Sequence, residues 1–189
     1  MYRTTTEEER EFLALFGLVV MDWNVLEAAI ELITYRLAGG GGHIEVLTGH
    51  LGALGMNEAM KTLSTEFGPA DLRNDIAHLA EMFDRLREYR NYYVHGIRLL
   101  GAGGDSGPVI GLSQSTTSKS RLKLHQAIVT KDELMVLSGQ LDECKRFADW
   151  LTVKLYGIEG PEMPILPRPD TPALPVRLKK PTIFLTDQR

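Results

Sequence analysis

The chain is short of three things, and each shortage excludes a class of protein. It has one cysteine, Cys144, in 189 residues, so neither an internal disulfide framework nor a cysteine-based zinc site can be built. It has no excess of positive charge: 21 Lys and Arg stand against 25 Asp and Glu, a formal net charge of −4. That balance argues against broad electrostatic binding of nucleic acid and leaves room only for a local basic pocket. It also lacks a long unbroken apolar run. "FLALFGLVVM" (12–21) is interrupted at Asp22, too early to span a bilayer, and the opening "MYRTTTEEEREF" is not a basic-then-apolar leader. The expectation is a cytoplasmic protein without membrane contact.

What is present suffices for a hydrophobic core. Apolar residues make up 43% of the chain, ample for one domain with an appended tail. Residues 7–37 are predicted helical, because Phe12, Leu15, Phe16, Val19, Trp23, Leu26, Ile30 and Ile33 recur at steps of three and four. Thr6 and Glu9 have the spacing of a capping box, and "AGGGGH" ends the segment. A second helix is expected over about 48–67, up to the breaker "FGP". A third runs from Pro69 or Ala70 to about His95, with Ile76, Leu79, Ala80, Phe83, Leu86 and Val94 inward and Gly96 as C-cap.

Residues 97–129 change character. "GAGGDSGP" and "SQSTTSKS" predict a long loop that can carry a β-hairpin formed by "VIGLSQS" and "LKLHQAIV". "GAGGDSG" has no lysine and opens no helix, so it is not a phosphate-binding loop. Helix returns over 131–157, where Leu134, Leu137, Leu141, Phe147, Leu151 and Leu155 share a face with Gly157 as terminator. Cys144 sits in this periodic context as a small buried hydrophobe. The expected architecture is all-α: a four-to-five-helix bundle over 1–157, with the insert 97–129 before its last core helix. Residues 158–189 form a proline-rich extended tail that either docks, on this chain or on a partner, or stays inert.

Two segments carry the same spacing of chemically capable residues. "YRNYYVHG" (89–96) contains Arg90, Asn91 and His95; "RNDIAH" (73–78) contains Arg73, Asn74 and His78. Helical geometry separates them. Arg73 falls in the first turn, where the helix dipole disfavours a cation, and His78 lies mid-helix, so that copy is expected to be structural. Arg90 falls within the apolar stripe between Leu86 and Val94, and a guanidinium there must be paired or must line a polar crevice. His95 lies in the last turn beside Gly96, where the dipole stabilises an imidazolium. That position suits ordinary capping and acid–base chemistry alike.

Taken as a set, Arg90 can clamp a phosphate through paired donors, His95 can move a proton, and Asn91 can orient either group. Tyr89, Tyr92 and Tyr93 can stack on a base, or serve as packing or a dimer face. Arg87 is a further candidate for contact with RNA or a partner. Glu81, Asp84 and Glu88 match Arg85 and Arg87 as helix ion pairs, so no metal or other cofactor is expected. Arg90 and His95 are five residues apart, about 140° around a regular helix. One chain alone presents them poorly to a single phosphate. Two chains related by a twofold would bring two such sets to one cleft.

These residues resemble the signature of the HEPN (higher eukaryotes and prokaryotes nucleotide-binding) superfamily, all-α domains of four or five helices. That signature is an arginine, a polar residue that is often asparagine, and a histidine at the end of a late core helix, here Arg90, Asn91 and His95 followed by Gly96. The resemblance covers about residues 7–157 without the insert, including Trp23, Asn24 and Glu27 on the first helix. It implies a symmetric homodimer acting as a metal-independent endoribonuclease, with attack of a ribose 2′-hydroxyl on the adjacent phosphate and a 2′,3′-cyclic phosphate product. Such proteins serve as toxins with antitoxin partners, phage-defence factors and RNA-processing enzymes. The alternative is a non-catalytic helical dimer that binds a nucleotide or a partner protein. A third possibility gives Arg90 a structural role as partner of a helix-one acid such as Glu27.

Overall fold

A computed structural model describes residues 6–102, 108–118, 121–157, 167–179 and 182–183, with the backbone alone at 47, 95–102, 108–118, 121–128 and 182–183. Five helices form the framework: α1 (Glu7–Leu37), α2 (Gly42–Thr48), α3 (Ala53–Phe67), α4 (Arg73–Gly96) and α5 (Lys131–Tyr156). Between α4 and α5 run β1 (Ile97–Ala102), β2 (Pro108–Ser118) and β3 (Arg121–Val129), and β4 (Thr182–Ile183) comes from the tail. The helical expectation holds for the framework. The expected hairpin is β2 and β3, paired antiparallel from Ile110↔Val129 to Ser118↔Arg121. The sheet is larger than a hairpin, because β1 and β4 extend it to the order β1-β2-β3-β4.

Local chemistry explains the helix ends. Thr6 and Glu9 form the expected capping box: the Thr6 N–H donates to Glu9 Oε2 at 2.9 Å, and the Glu9 N–H donates to Thr6 Oγ1 at 3.2 Å. Thr130 and Glu133 repeat it at the start of α5, satisfying donors that the first turn leaves unpaired. After α1 the chain reverses through Gly39, Gly40 and Gly41, all at positive φ (92°, 70° and 101°), a conformation that side chains with a Cβ resist. The short α2 begins at once. The expected second helix over 48–67 is α3, which starts only at Ala53, and α2 is an additional element that begins in the last two residues of the glycine breaker and ends at Thr48.

The described residues divide into two compact units. One comprises residues 21–87 and 139–176 and is helical. Its core holds Trp23, Leu26, Ile30, Ile33, Met60, Ile76, Leu79, Phe83, Phe147 and Leu151, each at most 1% exposed. Trp23 stacks on Phe83 with ring centroids 4.7 Å apart. Each such side chain contributes about 1.5–3 kcal/mol on burial. Fully buried Asn57 donates through Nδ2 to the Ala80 carbonyl at 3.1 Å. Asp22, which interrupts the apolar run in the sequence, is paired with Lys145.

The other unit comprises residues 1–20, 88–138 and 177–189. The sheet belongs to it, and Phe12, Val19, Tyr92, Tyr93, Val129, Leu134 and Leu137 are buried there. By length and composition α1 is long and apolar enough to cross a membrane, although "FLALFGLVVM" alone is too short. Phe12, Val19, Trp23, Leu26, Ile30 and Ile33 along it are buried, one apolar face of an amphipathic helix.

Candidate functional site

The end of α4 carries the candidate set. The helix is continuous from Arg73 to Gly96, so Arg90, Asn91 and His95 ride on one element and His95 falls in its final turn. The His95 side chain lies outside the described residues. Arg90 is half-buried between Leu86, fully buried, and Val94, half-buried, as its place in the stripe predicts. Arg90 Nη1 donates to Asn91 Oδ1 at 3.0 Å. That contact engages the amide oxygen of Asn91 as acceptor.

The tyrosines behave differently from one another. Tyr92 and Tyr93 are 2% and 6% exposed, so their faces are packed inside and cannot stack on a base in this chain. The packing alternative applies to them. Tyr89 is half-buried, with its ring 6.1 Å from that of Tyr93. Burial pushes the hydroxyl of Tyr89 above the usual phenol range, and the carboxylates of Glu88 and Glu133 add to the effect. Tyr92 and Tyr93 are raised by burial and then by Glu133. All three are neutral hydrogen-bonding groups at physiological pH, in an environment with acidic neighbours.

Arg87, expected to contact RNA or a partner, is held by its own helix: Nη2 lies 2.8 Å from Asp84 Oδ1, and both side chains are about four-fifths buried. Arg85 Nε pairs with Glu81 Oε1 at 2.8 Å. Glu27 accepts from the indole Nε1 of Trp23 at 3.1 Å, which fixes the ring that stacks on Phe83. Glu27 and Glu31 also line a small recess with Thr48, Gly49, Leu51, Ala53 and Met56.

The second motif copy is absorbed by the fold. Arg73 Nε donates to the Gly68 carbonyl at 3.1 Å. His78 sits edge-on to Phe147 at 5.9 Å, and its Nε2 is 2.8 Å from the Pro172 carbonyl oxygen. Sequence reasoning did not anticipate that Asp75, His78, Arg85 and Trp150 meet the tail. The available signal was the three-residue spacing of Pro169, Pro172 and Pro175. Cys144 is fully buried, which raises its thiol well above the usual range. Among the described residues no group of three or more His, Cys, Asp or Glu side chains is placed to hold a metal ion.

No family model, curated protein or solved structure matches the chain.

Proposed function

We propose that the protein is a dimeric, metal-independent endoribonuclease of HEPN type acting on RNA in the cytoplasm. The observation that carries this is the end of α4: a half-buried arginine joined to the adjacent asparagine on a helix that runs unbroken to Gly96, with His95 in its last turn. Arg90 would hold the non-bridging oxygens of a phosphodiester and stabilise the charge that develops on them. His95 would accept the proton of the ribose 2′-hydroxyl as that oxygen attacks phosphorus. The P–O5′ bond breaks, the departing 5′-oxygen is protonated by the partner's acid–base group, and a 2′,3′-cyclic phosphate remains. Asn91 is a positioning residue, acting through Arg90.

A second observation supports the dimer. Along α1, Ala14, Leu18, Met21, Val25, Ala28 and Leu32 are all exposed and recur at alternating steps of four and three. That is the seam of a coiled coil, on the side of the helix away from its buried stripe. Met21 and Val25 at its centre are 68% and 53% exposed. A self-complementary apolar stripe fits a second copy of the chain related by a twofold. The acidic carboxylates beside the tyrosines favour the alternative in one respect, since they disfavour a polyanion. In that case the protein is a non-catalytic dimer for a nucleotide or a protein partner such as an antitoxin.

The test is incubation of purified protein with mixed cellular RNA, beside His95→Ala, Arg90→Ala and His78→Ala variants. Cleavage that leaves 2′,3′-cyclic phosphate ends, lost in the first two variants and kept in the third, is the expected result. Equal cleavage by all four proteins, or none by the parent across pH and salt, refutes the nuclease.

A further inference from the structure

The tail over 167–179 is extended, and its burial has a period of three: Pro169, Pro172, Pro175 and Leu178 face inward while the two residues between each are exposed. Three residues per turn is the signature of a polyproline II helix lying against a surface. The surface is made by α4 and α5. Pro172 offers its carbonyl to His78 Nε2 at 2.8 Å, and Pro175 offers its own to Arg85 Nη1 at 2.7 Å. Upstream, Arg168 Nη2 pairs with Asp75 Oδ1 at 2.7 Å while its guanidinium lies 5.6 Å from the Trp150 ring centroid.

The two pitches match. His78 and Arg85 are seven residues apart, about 10.5 Å along an α-helix. Pro172 and Pro175 are three apart, about 9.3 Å along polyproline II. Donors on one element therefore meet carbonyls on the other in register. Proline has no N–H to satisfy, so donors and aromatic surface suit the proline positions of such a segment, while Asp75 takes the arginine that precedes them. Trp150 supplies aromatic surface beneath Arg168, and buried Phe147 backs both His78, edge-on at 5.9 Å, and Trp150, stacked at 5.8 Å.

We propose that this groove is a recognition site for polyproline II segments of the form Arg-Pro-x-x-Pro-x-x-Pro, that residues 168–175 are its resident ligand, and that the same class of segment from another polypeptide displaces them. The site is independent of the nuclease reading and uses none of its residues.

To test this, a chain with a protease site inserted within 158–166 is folded intact and then cut. A labelled peptide of residues 166–179 is titrated onto it by fluorescence anisotropy, with circular dichroism recorded before and after the cut. Expected are saturable binding at one site, binding at least tenfold weaker by a permuted peptide whose prolines leave the three-residue step, and weakening by Asp75→Arg that a peptide carrying Arg168→Asp reverses. Equal binding of the two peptides, or no binding by a cut chain that keeps its helix content, overturns the proposal. Should the cut chain lose helix, the intact chain decides. There Asp75→Arg should speed tryptic cleavage after Arg177, and adding Arg168→Asp should slow it again; no change in either variant overturns the proposal equally.

Discussion

Arg90 and Asn91 are joined side chain to side chain, Nη1 to Oδ1 at 3.0 Å, about one and a half turns before α4 ends. The contact gives a cation within a helix stripe a polar neighbour on its own helix. It also ranks the residues of the candidate site.

Arg90→Ala should lower RNA cleavage about 100- to 1,000-fold, the usual cost of removing a group that stabilises charge in the transition state. His95→Ala should cost about 100- to 10,000-fold. Asn91→Ala should cost less than either, because it acts through Arg90. Arg90→Lys should rescue little, since an ammonium cannot reproduce the paired donors. Single-turnover cleavage of a defined oligoribonucleotide measures all four.

Met21→Glu with Val25→Glu should abolish self-association while leaving the fold intact. Both side chains are exposed in the single chain, so in the monomer the new carboxylates are solvated and repel only as an i,i+4 pair, by about 0.2–0.5 kcal/mol. A dimer would bring two such pairs together at its seam. Sedimentation velocity should show one monomeric species with unchanged far-UV circular dichroism, and cleavage should fall with the dimer.

Two glycine-to-alanine changes should move stability in opposite directions. A Cβ on Gly68 would collide with the Ser64 carbonyl oxygen, a backbone atom that cannot swing aside, so Gly68→Ala should cost about 1–3 kcal/mol. A Cβ on Gly139 meets nothing within 4 Å, and the residue is exposed on α5. Gly139→Ala should add about 0.4–1 kcal/mol by restricting the unfolded chain. Urea denaturation at fixed pH reads both.

The exposed pair Glu11–Lys131, with Oε2 2.7 Å from Nζ, should make a small pH-dependent contribution. The hydrogen bond and charge of Lys131 hold the Glu11 carboxyl below the usual range, and Glu11 raises Lys131. The Glu11 contribution is therefore present above its unfolded pKa and lost as pH falls through its depressed folded value. The Lys131 contribution is present below the ordinary lysine pKa and lost as pH rises through the raised one. Carboxyl titration by NMR should place Glu11 below an ordinary glutamate, and Lys131→Met should return it; an unmoved midpoint in the variant would contradict the pairing.

Much of the framework was legible because its determinants are local. The four long helices follow from residues at steps of three and four, and the Thr6–Glu9 box from a spacing of three. Thr130 and Glu133 bear the same signal at the start of α5. The helix α2 was not legible, because a glycine run reads as a terminator whether or not a new helix begins within it. At the candidate site, the half-buried position of Arg90 followed from its place in the stripe. The separation of buried Tyr92 and Tyr93 from half-buried Tyr89 did not, since it depends on what packs against each face of the helix.

By itself the sequence determined where the four long helices run, to within a few residues at their ends, and that a tail with proline at every third position is extended, because periodicity and the missing proline N–H act within a few residues. Only the tertiary structure decided that this tail lies on α4 and that His78 of the second motif copy receives it. That outcome needs two elements with different pitches to meet in register, and the match exists only once the long stretch of chain between them has folded.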